Sequence, residues 1–439
     1  MNGSSAPEQP LARRLGTADA VFIGLGSMIG AGVFAAFTPA AQSAGSGLLI
    51  GLALAAVVAY CNATSSAQLA AVYPTSGGTY IYGREQLGHW AGFLAGWGFV
   101  IGKTASCAAM ALTFAVYAAP QGWQRPVAIA AVIGLAAVNY HGVTRTARLT
   151  RILVVVVLLA LSVSVAAGWA GAPPDTVHPL LRDLFHSSWY SILQSAGLLF
   201  FAFAGYARIA TMGEEVRNPQ RTIPRAILLA LAIAVAVYAA IAVTILSILG
   251  PAGVASTPVP LAAALDAGSW SWAAPAVRIG GAAASLGALL ALIAGIGRTS
   301  LAMARHNDLP AWLAAVHPKY KVPHRAETIL AVVICLLVLA VDLRAVIGFS
   351  SAGVLFYYLI ANLSAFTQPK AHRRYPKIIQ LLGVTGCAVL VITLPWTSLL
   401  AALGVFALGI LYRRWRLRGH AADGAGAGAE GEGPGQYGR

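Results

Sequence analysis

The chain has 439 residues, of which 58% are hydrophobic and only 10% are charged, and its mean hydropathy is +0.73. A soluble domain of this length needs far more charged residues to cover its surface, so the composition excludes an ordinary soluble protein. The net charge of +15 would suit a nucleic-acid-binding protein, but the sequence contains no basic soluble module to form such a surface.

Apolar stretches of about 20 residues recur along the chain, which is the length of α-helix that crosses roughly 30 Å of hydrocarbon. We therefore predict an all-α integral membrane protein with twelve transmembrane helices, called spans 1 to 12. The predicted spans cover residues 17–43, 46–70, 89–119, 126–142, 151–171, 190–213, 225–249, 275–303, 326–342, 344–366, 378–395 and 397–412.

Basic residues are shared unevenly between the loops that join these spans. With a cytoplasmic N-terminus and one crossing per span, most of them fall on the cytoplasmic side. The outer loops keep only Arg125, Arg182, Arg278 and Arg344. This asymmetry follows the positive-inside rule, so it predicts a multi-pass protein of the cell (inner) membrane with cytoplasmic N- and C-termini and no nucleic-acid partner.

One membrane domain accounts for most of the chain. Residues 1–14 form a short polar arm, and residues 15–418 hold all predicted spans. Residues 419–439 are rich in Gly, Ala and Glu and predict a disordered cytoplasmic tail. The cysteines lie singly inside apolar spans without metal-ligand spacing, so no metal site is expected.

Glycines interrupt two spans near the middle of the membrane: span 1 has four within residues 24–32, and span 6 contains Gly205. A glycine costs a helix about 1 kcal/mol relative to alanine, and unwound backbone at membrane depth is tolerated only beside a cavity or inside protein. Two interrupted helices five spans apart indicate inverted repeats of five helices each, about residues 17–171 and 190–366, with residues 378–412 as two extra helices.

The two interruptions would present complementary binding groups. The half-helix that begins near Gly30 would direct free N–H groups and a positive dipole end towards a carboxylate. Carbonyl groups freed in span 6, those of Phe201, Ala202 and Ala204, would suit an ammonium group. A zwitterion is therefore the expected ligand. In the simpler alternative, the small residues only allow the helices to pack closely.

Several motifs resemble those of the amino acid–polyamine–organocation carriers. Residues 26–34, Gly-Ser-Met-Ile-Gly-Ala-Gly-Val-Phe, are similar to the span 1 signature of that family. Residues 74–80, Pro-Thr-Ser-Gly-Gly-Thr-Tyr, are similar to the segment that follows span 2. The other matching segments are 213–219 and 223–227 after span 6, and Arg298, 302–305 and 309–310 at the end of span 8. Together these motifs cover spans 1 to 8 in order.

The resemblance implies a LeuT-type fold, with substrate held between spans 1 and 6 and walls from spans 3, 8 and 10. It also implies that the carboxylate contacts the span 1 backbone, that the amine contacts span 6 carbonyls, and that Phe201 or Phe203 forms an outer gate. The implied binding residues are Ser27, Met28, Ile29, Gly30, Ala31 and Gly32 in span 1, and Phe201, Ala202, Phe203 and Ala204 in span 6. Ser285, midway along span 8, is a further pocket candidate.

Two positions depart from the family pattern. Some proton-coupled relatives carry a lysine within span 5, and the matching position here is Val157, which has no charge. Relatives that take larger or cationic substrates often have an acid after the span 6 aromatic, where this chain has Ala207 followed by Arg208. The second difference favours neutral substrates slightly, and the first leaves the coupling group to be found elsewhere.

Lys103 is a candidate for that group. It lies about fourteen residues into span 3, hence roughly 20 Å from the inner end. A charge there costs a few kcal/mol or more unless it is paired, solvated or neutral. We expect Lys103 either to titrate during transport or to replace a metal cation as a fixed charge. The structural alternative is a lysine that snorkels or bonds helix carbonyls.

Opposite charges gather near the inner ends of spans 6 and 8. Glu214 and Glu215 follow span 6, and Arg298 lies at the end of span 8, with Arg208 and Arg305 nearby. These residues could form an inner gate that breaks when the cavity opens inward. Alternatively, they form an interfacial ion pair that only fixes orientation and is worth about 0–1 kcal/mol where exposed.

The sequence contains no ATP-binding loop and no constellation for hydrolysis or group transfer, so neither a primary pump nor an enzyme is predicted. A channel is disfavoured because the glycines cluster at two helix breaks. We predict a secondary active transporter that takes up amino acids by alternating access, coupled to protons and without another cofactor; a monomer would suffice. An amino acid or amine exchanger and a non-transporting amino acid sensor on the same fold are the alternatives.

Overall fold

The computed structural model describes residues 15–75, 77–141, 144–171, 184–213, 215–268 and 270–429. Within these ranges the chain is helical, and its one isolated β-bridge joins Leu15 to Val216. The α-helices are α1 (Thr17–Met28), α2 (Ala31–Ala35), α3 (Phe37–Ala44), α4 (Leu48–Val72), α5 (Thr79–Leu87), α6 (His89–Ala118), α7 (Gln124–Tyr140), α8 (Thr144–Gly171), α9 (Trp189–Phe203), α10 (Ala207–Ala210), α11 (Pro219–Ser256), α12 (Pro260–Asp266), α13 (Ala274–Arg305), α14 (His324–Ala340), α15 (Leu343–Thr367), α16 (Lys377–Thr393) and α17 (Trp396–Ala429).

Every predicted span coincides with one or more of these helices. In the part of the chain that the structure describes, nine apolar helical segments are long enough to cross a membrane, judged by length and composition. The spans predicted at residues 126–142, 326–342 and 378–395 correspond to α7, α14 and α16, which have 17 residues each. The all-helical membrane architecture is therefore confirmed, while the number of twelve spans and the inverted repeat stay predictions.

The centre of the bundle is built from α6, which packs against both α13 and α15. Small residues make these contacts possible: Gly98 and Gly102 of α6 lie directly against Gly353 of α15. Close backbone approach between helices is typical of membrane proteins, where dispersion contacts replace the hydrophobic effect as the main attraction between helices. The broken helix α1–α3 and the helix pair α9–α10 lie beside this centre, packed on α4, α8, α11 and α13.

The outer helices present large aliphatic side chains to their surroundings. Leu159 of α8, Leu336 of α14, Ile392 of α16 and Leu408 of α17 are all exposed. Such a surface would be unfavourable in water but suits contact with lipid tails. The structure thus has a small-residue interior and an aliphatic exterior.

Two helices differ from their predicted bounds. α11 extends from Pro219 to Ser256 and bends at Gly250, whose φ of 66° lies in the left-handed region that favours glycine. α17 continues to Ala429, well beyond the predicted end of span 12 and into the segment predicted as a tail. The predicted arm, residues 1–14, and residues 430–439 lie outside the described residues.

Candidate functional site

Span 1 is interrupted near its middle. α1 ends at Met28, Ile29 and Gly30 leave the helical conformation, and α2 begins at Ala31. Ala36, between α2 and α3, keeps helical dihedral angles, so residues 31–44 continue as one half-helix. The first N–H groups of that half-helix have no partner within it. They lie at the bundle centre, where the sequence predicts contact with a carboxylate.

Span 6 is interrupted more gently. α9 ends at Phe203, a 3-10 turn covers Ala204–Tyr206, and α10 follows directly at Ala207. The chain therefore tightens here rather than unwinding into an extended segment. A 3-10 turn has poorer hydrogen-bond geometry than an α-helix, so its carbonyls are open to other donors.

The two interruptions touch each other. Gly32 approaches Ala202 so closely that a β-carbon on the glycine would lie 2.6 Å from the Cα of Ala202. A β-carbon on Gly205 would overlap the carbonyl group of Ser27. Only glycine fits at both places, so close packing of spans 1 and 6 is one function of these glycines.

Side chains already occupy two of the three carbonyls that the sequence assigned to an ammonium ligand. The hydroxyl of Tyr238, on α11, lies 2.6 Å from the carbonyl oxygen of Met28 and 2.9 Å from that of Ala202, and its single hydrogen is shared between them. Lys103 Nζ donates to the carbonyl oxygen of Ala204 at 2.8 Å. A buried carbonyl needs a hydrogen-bond donor. Tyr238 from α11 and Lys103 from α6 supply these donors.

Lys103 is buried, with only 3% of its surface exposed. It reaches the interruption of span 6 from the middle of α6 and bonds a helix carbonyl there, as in the structural alternative; its role in coupling stays a prediction. Besides Lys103, the hydroxyl of Tyr358 lies 3.5 Å from the Ala204 oxygen. The ammonium group of Lys103 thus sits at a carbonyl that a substrate amine would otherwise use.

Aromatic rings surround the interruption of span 6. Phe203 is fully buried and packs edge-to-face on Tyr238, with ring centroids 5.0 Å apart. Tyr206 lies 5.0 Å from Tyr358 by the same measure. Phe201 is also buried. Both phenylalanines are thus buried at the interruption, and their role as an outer gate stays a prediction.

Both serines proposed for the pocket bond to their own helices. Ser27 Oγ donates to the Ile23 carbonyl at 3.0 Å, and Ser285 Oγ donates to the Gly281 carbonyl at 2.8 Å. Each is buried, and each keeps its oxygen lone pairs for a further donor. The side chain of Ala31 lies outside the described residues, although its backbone begins α2.

A small cavity of about 10 Å³ lies between α1, α8 and α13. Its wall includes Gly26, Ile29 and Val157, and Thr150 supplies the one side-chain hydroxyl among the residues that line it. A hard cation such as calcium needs six to eight oxygen ligands, and only one of the residues that line this cavity carries a side-chain oxygen. Val157 lines this cavity together with Ile29 of the span 1 interruption, and the wall there is largely apolar.

An ion pair joins spans 6 and 8 at the end of the bundle where both spans finish. Arg298 of α13 bonds to Glu215 through Nη1 and Oε1, and both side chains are mostly buried. Leu15 holds the same segment, because its N–H donates to the Glu215 carbonyl at 3.0 Å and its carbonyl accepts from Arg217 at 2.8 Å. Glu214, the other predicted gate residue, lies outside the described residues.

Arg208 does not join this ion pair. It is buried on α10, where Nη1 donates to Thr211 Oγ1 at 2.9 Å and Nε finds no hydrogen-bond partner in the described part of the chain. Its side chain lies against Gly295 of α13. Arg208 is thus a second buried basic residue close to the interruption of span 6.

Sequence reasoning missed Tyr238 and Tyr358, the two hydroxyls that reach the interruptions. A signal was available, because a tyrosine in the middle of an apolar span must find a partner for its hydroxyl. Because the sequence does not fix the rotation of each helix about its axis, the tyrosine alone does not show which carbonyl its hydroxyl reaches.

A helical bundle with an apolar exterior, two interrupted helices in contact at its centre and a buried lysine at their junction has the organisation of a membrane transporter. Comparison of the sequence with known families gives the narrower class. The chain belongs to the amino acid permease family, whose sequence model matches residues 15–412.

Individual relatives agree with this assignment. An uncharacterized transporter of Mycobacterium tuberculosis is 56% identical over 91% of this chain and 90% of its own length. The branched-chain amino acid permease BcaP of Bacillus subtilis is 24% identical over 93% of this chain and 94% of its own. The cationic amino acid transporter 6 of Arabidopsis thaliana, a chloroplastic protein, is 26% identical over 88% of this chain and 71% of its own. The family and these relatives are transporters, not enzymes.

Proposed function

We propose that this protein is a secondary active transporter that takes up amino acids across the cell membrane by alternating access, with its N- and C-termini in the cytoplasm. The observation that carries the proposal is the meeting of two interrupted helices at the bundle centre. Backbone groups that leave regular helix at membrane depth are costly unless they have a ligand or a protein partner.

In the proposed site, the substrate carboxylate binds the N–H groups at the start of α2. Lys103 and Arg208 add positive charge to this region, because both are buried close to the interruption of span 6. These charges would repel a cationic side chain, so neutral amino acids are the proposed substrates. The branched-chain specificity in the name of one relative supports this choice, and the cationic specificity of another opposes it.

Proton coupling is proposed to act through Lys103. Its ammonium group holds the Ala204 carbonyl, and its positive charge would favour the carboxylate of a bound substrate. When Lys103 loses its proton to the cytoplasm, this attraction weakens and the substrate is released, so proton and substrate travel in the same direction. Binding of substrate and protonation of Lys103 would then be linked reciprocally, as any two coupled binding events are.

The Glu215–Arg298 ion pair is proposed as part of the inner gate. It is mostly buried, so breaking it would expose two charges and must be offset by new contacts in the open state. The bridge from Leu15 to Val216 would have to open in the same step.

Uptake by purified protein in proteoliposomes tests the proposal. We expect labelled neutral amino acids to accumulate when a pH gradient, acidic outside, is imposed. An exchanger would instead require amino acid inside the vesicles and would ignore the gradient. A sensor would show ligand-dependent thermal stabilisation without accumulation. A thermal-shift screen of all common amino acids and polyamines would identify the compounds to label.

A further inference from the structure

A separate cavity lies at the end of the bundle that carries the basic loops, away from the interrupted helices. Its volume is about 340 Å³, enough for a polar headgroup rather than a single ion. The residues that line it come from α5, the start of α6, the end of α13 and α17: Arg84, His89, Trp90, His306, Asn307, Asp308, Arg413, Arg416 and Leu417.

The cavity has more positive than negative charge. Three guanidinium groups, those of Arg84, Arg413 and Arg416, face a single carboxylate, that of Asp308. Arg84 Nη1 lies 3.5 Å from Asp308 Oδ2, and Arg413 Nη1 lies 3.1 Å from Oδ1. One carboxylate balances one arginine, so two positive charges are left over even with both histidines neutral.

Asp308 is also held by a neutral donor. The hydroxyl of Tyr80 donates to Asp308 Oδ2 at 2.8 Å. Burial and the neighbouring carboxylate raise the pKa of Tyr80, so this hydroxyl keeps its proton and remains a donor. The hydrogen-bonding capacity of Asp308 is therefore largely taken up by the protein, and the excess positive charge is fixed beside it.

Arg413 is the most informative of the three arginines. Its side chain is only 7% exposed, and its guanidinium group lies 4.7 Å from the ring centres of both Trp90 and Phe93. Nε of Arg413 has no hydrogen-bond partner among the described residues. A buried guanidinium with an unused donor is costly, and an oxyanion would satisfy it.

Arg416 leaves donors free in the same way. Its Nη1 bonds to the Leu309 carbonyl and to the Tyr412 hydroxyl, and its remaining nitrogens make no bond to the described residues. The edge formed by Nε and Nη2 of a guanidinium is planar and matches two oxygens of a phosphate. The first turn of α6, which contains His89 and Trp90, adds free N–H groups and a positive dipole end.

We propose that this cavity binds a phosphate group, and that its natural source is the headgroup of an anionic phospholipid. The flanks of the cavity favour a lipid over a soluble phosphate compound, because Trp90 and Leu417 are 40% and 49% exposed and offer apolar surface where acyl chains would lie. Basic pockets between helices at the cytoplasmic side bind such headgroups in other membrane proteins. Arg413, Arg416 and Leu417 lie on α17, so one of the two extra helices would contribute to lipid binding.

Native mass spectrometry of the detergent-purified protein tests this proposal. Phosphatidylglycerol, phosphatidylcholine and inorganic phosphate are titrated separately onto wild type, Arg416→Gln, Arg84→Gln and the control Arg414→Gln. Arg414 neighbours the site but is exposed and does not line the cavity. We expect phosphatidylglycerol to bind wild type and Arg414→Gln about tenfold more tightly than phosphatidylcholine. That preference should fall at least threefold in Arg416→Gln and Arg84→Gln.

Competition separates the two sources of phosphate. Displacement of phosphatidylglycerol by millimolar inorganic phosphate would support the phosphate site while assigning it to a soluble ligand. Equal binding of both lipids, or equal binding by all variants, would overturn the proposal. The buried Arg413 is left unchanged so that misfolding does not confuse the result, and unfolding temperatures of the variants check that each is folded.

Discussion

The two interrupted helices at the centre of the molecule are not equivalent. Span 1 leaves the helical conformation at Ile29 and Gly30 and starts a new half-helix with free N–H donors. Span 6 only tightens into a 3-10 turn, and its carbonyls at Ala202 and Ala204 already accept bonds from Tyr238 and Lys103. The donor half of the proposed site therefore keeps free N–H groups, whereas two of the three carbonyls of the acceptor half already have protein donors.

We infer that spans 1 and 6 contribute differently to substrate binding. A carboxylate can bind free N–H groups at span 1, whereas at span 6 an amine must share the Ala202 and Ala204 carbonyls with Tyr238 and Lys103. Span 1 would thus supply affinity, and span 6 would supply the link between substrate and Lys103. Substitutions at and around the two interruptions either remove this difference between spans 1 and 6 or measure it.

Gly205→Val should abolish uptake. The added side chain would overlap the carbonyl of Ser27 and push the two interruptions apart. We expect initial rates to fall by about 100-fold or more, a loss of roughly 3 kcal/mol in transport free energy. Gly134→Val is the control, because a β-carbon at Gly134 meets no other atom within 4 Å. Equal activity of the two variants would show that close approach is not required.

Lys103→Met should remove the response to a pH gradient. The Ala204 carbonyl would lose its charged donor, and substrate binding would no longer be linked to a titratable group. We expect gradient-driven accumulation to fall about tenfold, with exchange at equal pH less affected. Lys319→Met, at an exposed lysine, is the control. A normal gradient response in Lys103→Met would contradict proton coupling through this residue.

The inner ion pair should respond to charge reversal. Arg298→Glu and Glu215→Arg each place like charges together, which should favour the inward-open state and slow accumulation about threefold to tenfold. The double variant restores opposite charges and should recover at least half of the activity. Labelling of cysteines introduced near the inner end would report accessibility. Unchanged accessibility in both single variants would argue for a purely structural pair.

Tyr238→Phe should mainly affect stability. Its hydroxyl serves the carbonyls of both Met28 and Ala202, and its loss leaves them with one donor fewer. We expect the free energy of unfolding to fall by about 1–3 kcal/mol, with a smaller change in uptake. Tyr60→Phe is the control, because Tyr60 is exposed. The comparison is made by thermal unfolding in detergent with and without substrate.

Ser285→Ala should have the smallest effect. The hydroxyl bonds within its own helix, so a ligand loses at most a weak acceptor. We expect uptake to change by less than about twofold, because the lost hydrogen bond lies within the helix and not at the substrate. A tenfold loss would mean that Ser285 turns towards the substrate in another conformation.

The sequence predicted the architecture better than the chemistry of the site. Apolar length located the long helices but not the short α5 and α12, and the glycine pattern located the break at Gly30, because both signals are local. The contacts of Lys103 and Tyr238 were not predictable, since they depend on the rotation of α6 and α11 about their axes. Span 6 was expected to unwind, yet it needs only a 3-10 turn because α10 follows it directly.

Uptake of labelled neutral amino acids into proteoliposomes, with a pH gradient imposed and then collapsed, tests whether the junction of spans 1 and 6 is the transport site. If substrate binds where the two interrupted helices meet, accumulation should follow the gradient in wild type and disappear in Gly205→Val. Gradient-independent leakage of substrate, or equal accumulation in that variant, would show that the path for amino acids lies elsewhere.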